Sequence, residues 1–496
     1  GTMPPDCWLA DPAVMEGRHP DQPEAIANSL RIADACRFNP ELGQPIFPAY
    51  VTADGSDPAG LLEQLCLEGA RRRYGGVGEP VRLRLDHEMS IIRAKGFAPY
   101  FLVVRDIVAQ APRTCGRGSA AASLVSYLLG ITHVDPIRHD LYFERFLHHG
   151  RSDPPDIDVD FPWDERDDVL AWVFGHFGVG EVAMIANHCT LRTRAAVRET
   201  AKVLGLPDAE ISRVCKRFPW HADDPMEVVR KHPRFRGVEL GEPWPEIFRL
   251  AMTVQGTPRN LSVHCGGVVI VPGGVDQVVP VQPTPKGLPV VQWEKDQAED
   301  AGLVKIDLLG NRSLAVIRDA CREVGDHGGE TIDFHRFDPT EDAATCDMVA
   351  RGETMGVFYV ESPAMRQLQA KCGQGDFEHL VIHSSIIRPA ANTYIQEYVR
   401  RLKGGSWEPL HPALDHVLRE TYGIMVYQED VSRAAIALAG FDASSADELR
   451  KVMSKKHKAA KLADYRDRFI DGARRRGIGD DAIGKIWDMM LSFSGY

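Results

Sequence analysis

The run Asp153-Pro154-Pro155-Asp156-Ile157-Asp158-Val159-Asp160-Phe161 is where this chain is most informative. Extended from Asp156 to Phe161, it sends successive side chains to opposite faces. Asp156, Asp158 and Asp160 then share one face, while Ile157, Val159 and Phe161 share the other and can enter a core. Like charges repeated along one face disfavour their own ionisation unless something neutralises them. Hard divalent cations such as Mg²⁺ take carboxylate oxygens, so bound metal is the obvious neutraliser. The competing reading is an amphipathic edge strand with a solvated acidic face. It suffers because Asp is poorly represented inside strands.

Working outward, Leu303-Val304-Lys305-Ile306-Asp307-Leu308-Leu309 reads as a strand closed by Gly310. Lys305 and Asp307 face the same way among apolar neighbours. They suit a simple ion pair, or a third metal carboxylate with a phosphate-binding cation beside it. Residues 263–271 and 290–293 also carry strand character. On the N-terminal side, Cys115-Gly116-Arg117-Gly118-Ser119-Ala120-Ala121-Ala122-Ser123 is a turn of small residues, followed by an apolar run at 124–129 that reads as a helix. A helix N-terminus offers unpaired N–H groups and a positive dipole end, which suits phosphate, and Arg117 adds a charged donor. Small residues opening a buried helix also serve packing alone.

Helical spacing recurs at residues 25–33, 61–69 and 83–94, with a Pro- and Gly-containing link at 43–60. Residues 191–202 place Arg194, Arg198 and Lys202 at i, i+4 and i+8 on one helix face. That face is either solvated or tracks a phosphate backbone. Residues 205–250 read as helical with breaks at Pro219 and Pro233, and the chain is mainly helical from Thr331 onward. There Arg450, Lys451, Lys455, Lys456, Lys458 and Lys461, then Arg466, Arg468 and Arg474 to Arg476, form a basic block. It reads as a local electropositive patch or a solvated helix face.

Composition bounds the rest. The 496 residues are 44% hydrophobic and 26% charged, ordinary for a soluble globular chain with room for two to four domains. No apolar run reaches the ~20 residues of a membrane span, and the start Gly1-Thr2-Met3-Pro4-Pro5 is no signal peptide. The ten cysteines, without a CxxC pair, read as free cytosolic thiols, so a cytoplasmic location and no membrane partner are expected. His264-Cys265 and His148-His149 lack partners at zinc-ligand spacing and read as core or surface positions. A net charge of −12 argues against a uniformly basic nucleic-acid-coating protein but leaves local patches open.

Several of these runs follow one another in a known order. They are GRGS at 116–119, PDIDVDF at 155–161, HxGG at 264–267, VKIDLLG at 304–310, GVFYVES at 356–362, YQED at 427–430 and ADELRKVMSKK at 446–456. The arrangement resembles the bacterial C-family DNA polymerases, the alpha subunit of DNA polymerase III, over nearly the whole chain. The resemblance implies an α+β fold: a polymerase-beta-like nucleotidyltransferase palm with a mixed sheet, and a mainly helical thumb and fingers. The implied division is 1–24 cloning remnant and linker, 25–187 palm (first part), 188–262 thumb, 263–312 palm (second part) and 313–496 truncated fingers.

The resemblance also implies roles. Asp156, Asp158 and Asp307 become the catalytic carboxylates holding two Mg²⁺ ions, with Asp160 in support. Gly118 and Ser119, with Arg117 beside them, would hold the incoming triphosphate, and Lys305 would contact phosphate near the metals. Arg450, Lys451, Lys455 and Lys456 match a fingers segment that closes on the nucleotide. Arg194, Arg198 and Lys202 become candidates for the template-primer backbone. The implied activity is template-directed transfer of dNMP from dNTP to a primer 3′-hydroxyl by a two-metal mechanism, in replication or lesion bypass. The implied partners are primed template DNA, dNTP, and the sliding clamp and other replication proteins through regions outside this chain. The alternative is a non-catalytic relative that binds primed DNA or acts as a scaffold; retention of all three carboxylates favours the enzyme.

There are departures. The family's N-terminal phosphoesterase-like domain has no counterpart, and the chain ends within the expected fingers, so a piece of a larger protein is expected. The link at 111–115 is short, and Arg388-Pro389-Ala390-Ala391 stands where many relatives have Arg-Pro-Gly-Pro. Both point to a divergent, error-prone branch.

Overall fold

The computed structural model describes residues 10–37, 42–151, 154–332, 338–388, 392–453 and 459–494. The architecture is mixed α+β. Seven strands form one open sheet: β1 (Cys115–Arg117), β2 (Asp158–Pro162), β3 (Val182–Thr190), β4 (Pro258–Ile270), β5 (Val281–Pro283), β6 (Pro289–Val291) and β7 (Lys305–Asn311). Their order across the sheet is β1-β2-β7-β4-β3-β6-β5. β2 runs parallel to β7, and β1 and β4 flank this pair antiparallel.

β2 alternates as its sequence requires. Ile157, Val159 and Phe161 are fully buried, whereas Asp158 and Asp160 are half-buried and Asp156 is exposed. The strand begins at Asp158 rather than Asp156. Gly118 takes φ +73° and turns β1 away after Arg117, so the flanking strand offers no partner beyond Asp158. The third expected strand, 303–309, is β7, shifted to 305–311. β3 is not among the expected strands, although its run Val182 to Ala186 is continuously apolar and fully buried. A strand covered on both faces lacks the alternation that marks an edge.

The buried face of β2 rests on the helices Pro58–Tyr74, Glu79–Lys95 and Ala98–Val108, through Leu62, Leu85, Met89, Phe101 and Val104. The first two helices and the more exposed Pro23–Ala35 each carry Pro in the first turn, which starts them earlier than apolar spacing alone suggests. A smaller core of Ala183, Ile185, Val269, Val291 and Leu303 covers part of the opposite face. The acidic side of β2 and β7 lies on that opposite face.

Between β3 and β4 the chain leaves the sheet for a helical unit, Thr193–Val203 to Trp244–Val254, with its own core of Ala196, Ile211, Phe218, Trp244 and Phe248. A second helical unit follows from Ala343, built around Tyr398, Leu449, Phe469 and Trp487. It meets the sheet unit through charged contacts: Arg145 Nη1 donates to Glu429 Oε2 at 3.1 Å, and Arg433 Nη2 donates to the Asp140 carbonyl at 2.7 Å. Among the described residues no helix is long and apolar enough to cross a membrane.

Candidate active site

The parallel pairing of β2 and β7 sets Asp158 opposite Asp307. Asp156, two residues before Asp158, joins them on the same face. One carboxylate oxygen from each of the three lies within 4.8 Å of the others. Two protein cations reach in. Lys305 Nζ donates to Asp307 Oδ2 at 2.5 Å and stands 3.6 Å from Asp156 Oδ1. Arg117 spans Asp158 (3.3 Å) and Asp160 (3.1 Å). Asn311 Nδ2 donates to the other Asp160 oxygen at 2.8 Å, while its own Oδ1 caps the following helix, Arg312–Asp326. Asp160 is thereby held by Arg117 and Asn311, apart from the convergent three.

Four carboxylates thus face two cations, and the excess negative charge has a local consequence. Burial, with the Asp156 charge next and Asp307 adding to it, pushes the Asp158 carboxyl up to about 6 despite Arg117. Burial by itself would lower the Lys305 ammonium, but Asp156 and Asp307 outweigh it and hold the group above its ordinary value. Asp158 Oδ1 and Asp307 Oδ1 are buried and accept no hydrogen bond. Buried carboxylate oxygens without a donor are costly. A hard divalent cation satisfies them with the ligands it prefers, so the donor set fits the metal that the sequence suggests.

The GRGS turn continues β1 into a 3₁₀ turn, Gly118–Ala122, before the short helix Leu124–Leu128. A Cβ on Gly118 would lie 3.8 Å from Asp158 Oδ2, so the turn abuts the carboxylates directly. The expectation that the helix start at Leu124 is open to phosphate needs correction. Glu88, fully buried, already fills it: Leu124 N and Val125 N donate to its two oxygens at 2.8 and 3.1 Å, and Ser123 Oγ donates at 2.8 Å. Arg84 Nε, 2.8 Å away, balances the Glu88 charge. An internal carboxylate on a neighbouring helix cannot be seen in the local run of small residues. Gly118 and Ser119 lie on the 3₁₀ turn ahead of that occupied helix start.

The remaining candidates lie elsewhere. Arg194 Nη2 donates to the Phe218 carbonyl at 2.5 Å, Arg198 reaches Asp208 and Ser212, and Lys202 Nζ is 3.5 Å from Glu199. The stripe is therefore tied into its own helical unit. Arg450 chelates Asp447 and donates to Gln428, and Lys451 Nζ lies 3.1 Å from Asp447. Their helix, Ala443–Met453, packs against the sheet unit, with His148 beside Asp447 and Gly150 against Ser444. The basic block is thus partly neutralised by tertiary partners, including Glu448 for Lys461 and Asp480 for Arg474. Lys455 and Lys456 lie outside the described residues.

His264, read from the sequence as a core or surface position, stands at the site. Its Nδ1 is 3.8 Å from Asp307 Oδ1. The two glycines that follow it are the signal in the sequence: they leave room for the ring to fold back over its own strand.

Residues 60–310 match the family described as bacterial DNA polymerase III alpha NTPase domain, and residues 313–477 match the bacterial DNA polymerase III alpha subunit finger domain. Among individual relatives, the error-prone DNA polymerase of Symbiobacterium thermophilum is 38% identical, over 99% of this chain and 45% of its own length. DNA polymerase III subunit alpha of Halalkalibacterium halodurans is 35% identical, over 96% of this chain and 43% of its own. The corresponding subunit of Bacillus subtilis is 34% identical, over 99% and 45%. The chain therefore spans somewhat under half the length of these relatives. The two family matches run end to end across the sheet that gathers the carboxylates and the helical unit beyond it, and by them the chain belongs to the bacterial DNA polymerase III alpha family.

Proposed function

We propose that this chain carries the nucleotidyl-transfer centre of a DNA-directed DNA polymerase, joining dNMP from dNTP to a primer 3′-hydroxyl on a DNA template. The observation that carries the reading is the convergence of Asp158 on β2, Asp156 just before it and Asp307 on the neighbouring β7, with two buried oxygens left without donors. These three would hold Mg²⁺, expected as two ions, which supplies Lewis-acid charge to the attacking hydroxyl and the leaving pyrophosphate. Phosphoryl transfer asks the protein mainly for positioning and charge. Arg117, Gly118 and Ser119 take the triphosphate from the β1 side, and Lys305 adds a cation beside it. The sheet unit acts as palm, the unit at residues 193–254 as thumb and the helices beyond residue 313 as fingers. Arg450, Lys451, Lys455 and Lys456 serve the closing nucleotide pocket, and Arg194, Arg198 and Lys202 the DNA backbone. The setting is replication or lesion bypass in the cytoplasm, with clamp contacts made elsewhere in the whole protein.

A scaffold that only holds primed DNA has no use for a costly carboxylate cluster. Single-turnover primer extension by the intact protein separates the two readings. Asp158→Asn and Asp307→Asn should each abolish incorporation while circular dichroism stays native. Undiminished extension by either variant refutes the assignment.

A further inference from the structure

The two-glycine bend after His264 is built with more care than a packing position requires. Gly266 N and Gly267 N both donate to His264 Nδ1, at 3.2 and 2.8 Å. A nitrogen that accepts two N–H bonds carries no proton, so the ring is the neutral tautomer with its hydrogen on Nε2. The bend is clamped from behind: Arg166 Nη2 donates to the Cys265 carbonyl at 2.5 Å and Arg166 Nε to the Leu308 carbonyl at 3.0 Å. Gly266 is required for the close approach, and Gly267 leaves the ring its room. A Cβ on Gly266 would sit 2.5 Å from the Leu309 side chain, and one on Gly267 would sit 3.0 Å from His264 Nδ1 and 3.4 Å from Asp307 Oδ1. The imidazole therefore occupies the space beside Asp307 in a fixed pose. Its side chain is 16% exposed, and its Nε2–H has no hydrogen-bond partner among the described residues.

Strand order sets His264 across the site from the proposed triphosphate contacts. Across β1-β2-β7-β4, Arg117 ends β1 and Gly118 opens the turn that follows it, while Asp158 stands on β2, Asp307 on β7 and His264 on β4. The triphosphate cradle and His264 thus flank the carboxylates from opposite sides. With the triphosphate on the β1 side, as the polymerase reading has it, the β4 side is left to the strand being extended. We propose that His264 Nε2–H donates to a non-bridging oxygen of the primer's 3′-terminal phosphodiester and so positions the primer end beside Asp307. The inference rests on the polymerase reading of the carboxylates.

The test uses the intact protein and two substitutions. In His264→Asn the amide oxygen can still accept from Gly266 N and Gly267 N, but the side chain is too short to replace Nε2–H. His264→Ala loses both. Primed-DNA affinity is read by fluorescence titration without dNTP, and single-turnover extension is read against dNTP concentration. Loss of a hydrogen bond to a charged oxygen predicts about tenfold weaker primed-DNA binding in both variants, with the KM for dNTP within about twofold. A primer whose terminal linkage is a methylphosphonate should weaken the unaltered protein by a similar factor and leave His264→Asn unaffected. The inference is overturned if His264→Asn matches the unaltered protein while His264→Ala fails, which assigns His264 to the bend alone. It is equally overturned if dNTP affinity falls instead, or if the methylphosphonate penalty persists undiminished in His264→Asn. Absence of extension by the unaltered protein under any divalent cation sinks the polymerase reading and this inference together; the outcomes above sink the inference alone.

Discussion

Replacing Asp158 by Asn should make the metal-free protein more stable, not less. The carboxyl of Asp158 is pushed from its ordinary 3.8 to about 6 by burial and by the Asp156 charge. Well below pH 3.8 it is protonated in both folded and unfolded chains, and its position costs nothing. As pH rises from about 3 through 6 the unfolded chain ionises first, so the fold loses stability across that window and does not recover it above. The loss amounts to about 3 kcal/mol at neutral pH. That cost already includes the opposing pull of Arg117, 3.3 Å away, so replacing the charge by a neutral amide should gain about 3 kcal/mol. For a unit of this size that is a rise of roughly 6–12 °C in Tm. Thermal unfolding in EDTA at pH 7.5 should show it, and at about pH 3 the two proteins should nearly coincide. Added Mg²⁺ should reverse the order, since ligand at about 1,000 times its Kd stabilises the native protein by about 4.1 kcal/mol. An Asn variant no more stable than the native protein at pH 7.5 in EDTA would refute the charge argument. So would a native protein indifferent to Mg²⁺.

Three further outcomes follow from the same geometry. Glu88→Ala strands the N–H groups of Leu124 and Val125 in the core and leaves Arg84 only its carbonyl partners Ala122 and Leu141, and should cost about 3 kcal/mol in denaturant titration. Asn311→Ala removes the cap of the helix Arg312–Asp326 and one partner of Asp160; a loss of about 1 kcal/mol is expected, with Mg²⁺-dependent stabilisation retained because Asp160 stands outside the convergent three. Gly267→Ala places a methyl against both His264 and Asp307, and should weaken Mg²⁺-dependent stabilisation by tenfold or more in a metal titration, while the metal-free Tm moves little.

Much of the site was legible along the chain because strand geometry is simple. A two-residue period puts Asp156, Asp158 and Asp160 on one face whatever the rest of the fold does, and the same rule pairs Lys305 with Asp307. Apolar spacing likewise marked two of the three helices beneath the sheet, Pro58–Tyr74 and Glu79–Lys95. β3 escaped because a strand buried on both faces shows a continuous apolar run instead of alternation. Three-residue strands such as β1 and β5 carry too few residues to show any period.

What the linear order could not contain is who meets whom. That Asp158 and Asp307 lie side by side depends on β2 and β7 pairing in one register, fixed by contacts between residues far apart in sequence. The separation of Asp160 from the other three carboxylates was decided by Arg117 and Asn311, supplied by two other strands. Glu88 closes a helix start that looked open, and His264 turns from a packing residue into a donor because two glycines let its ring lie beside Asp307. Periodicity is a local property of the backbone and survives in the sequence. Charge neutralisation acts through space, and only the folded chain brings its partners within reach.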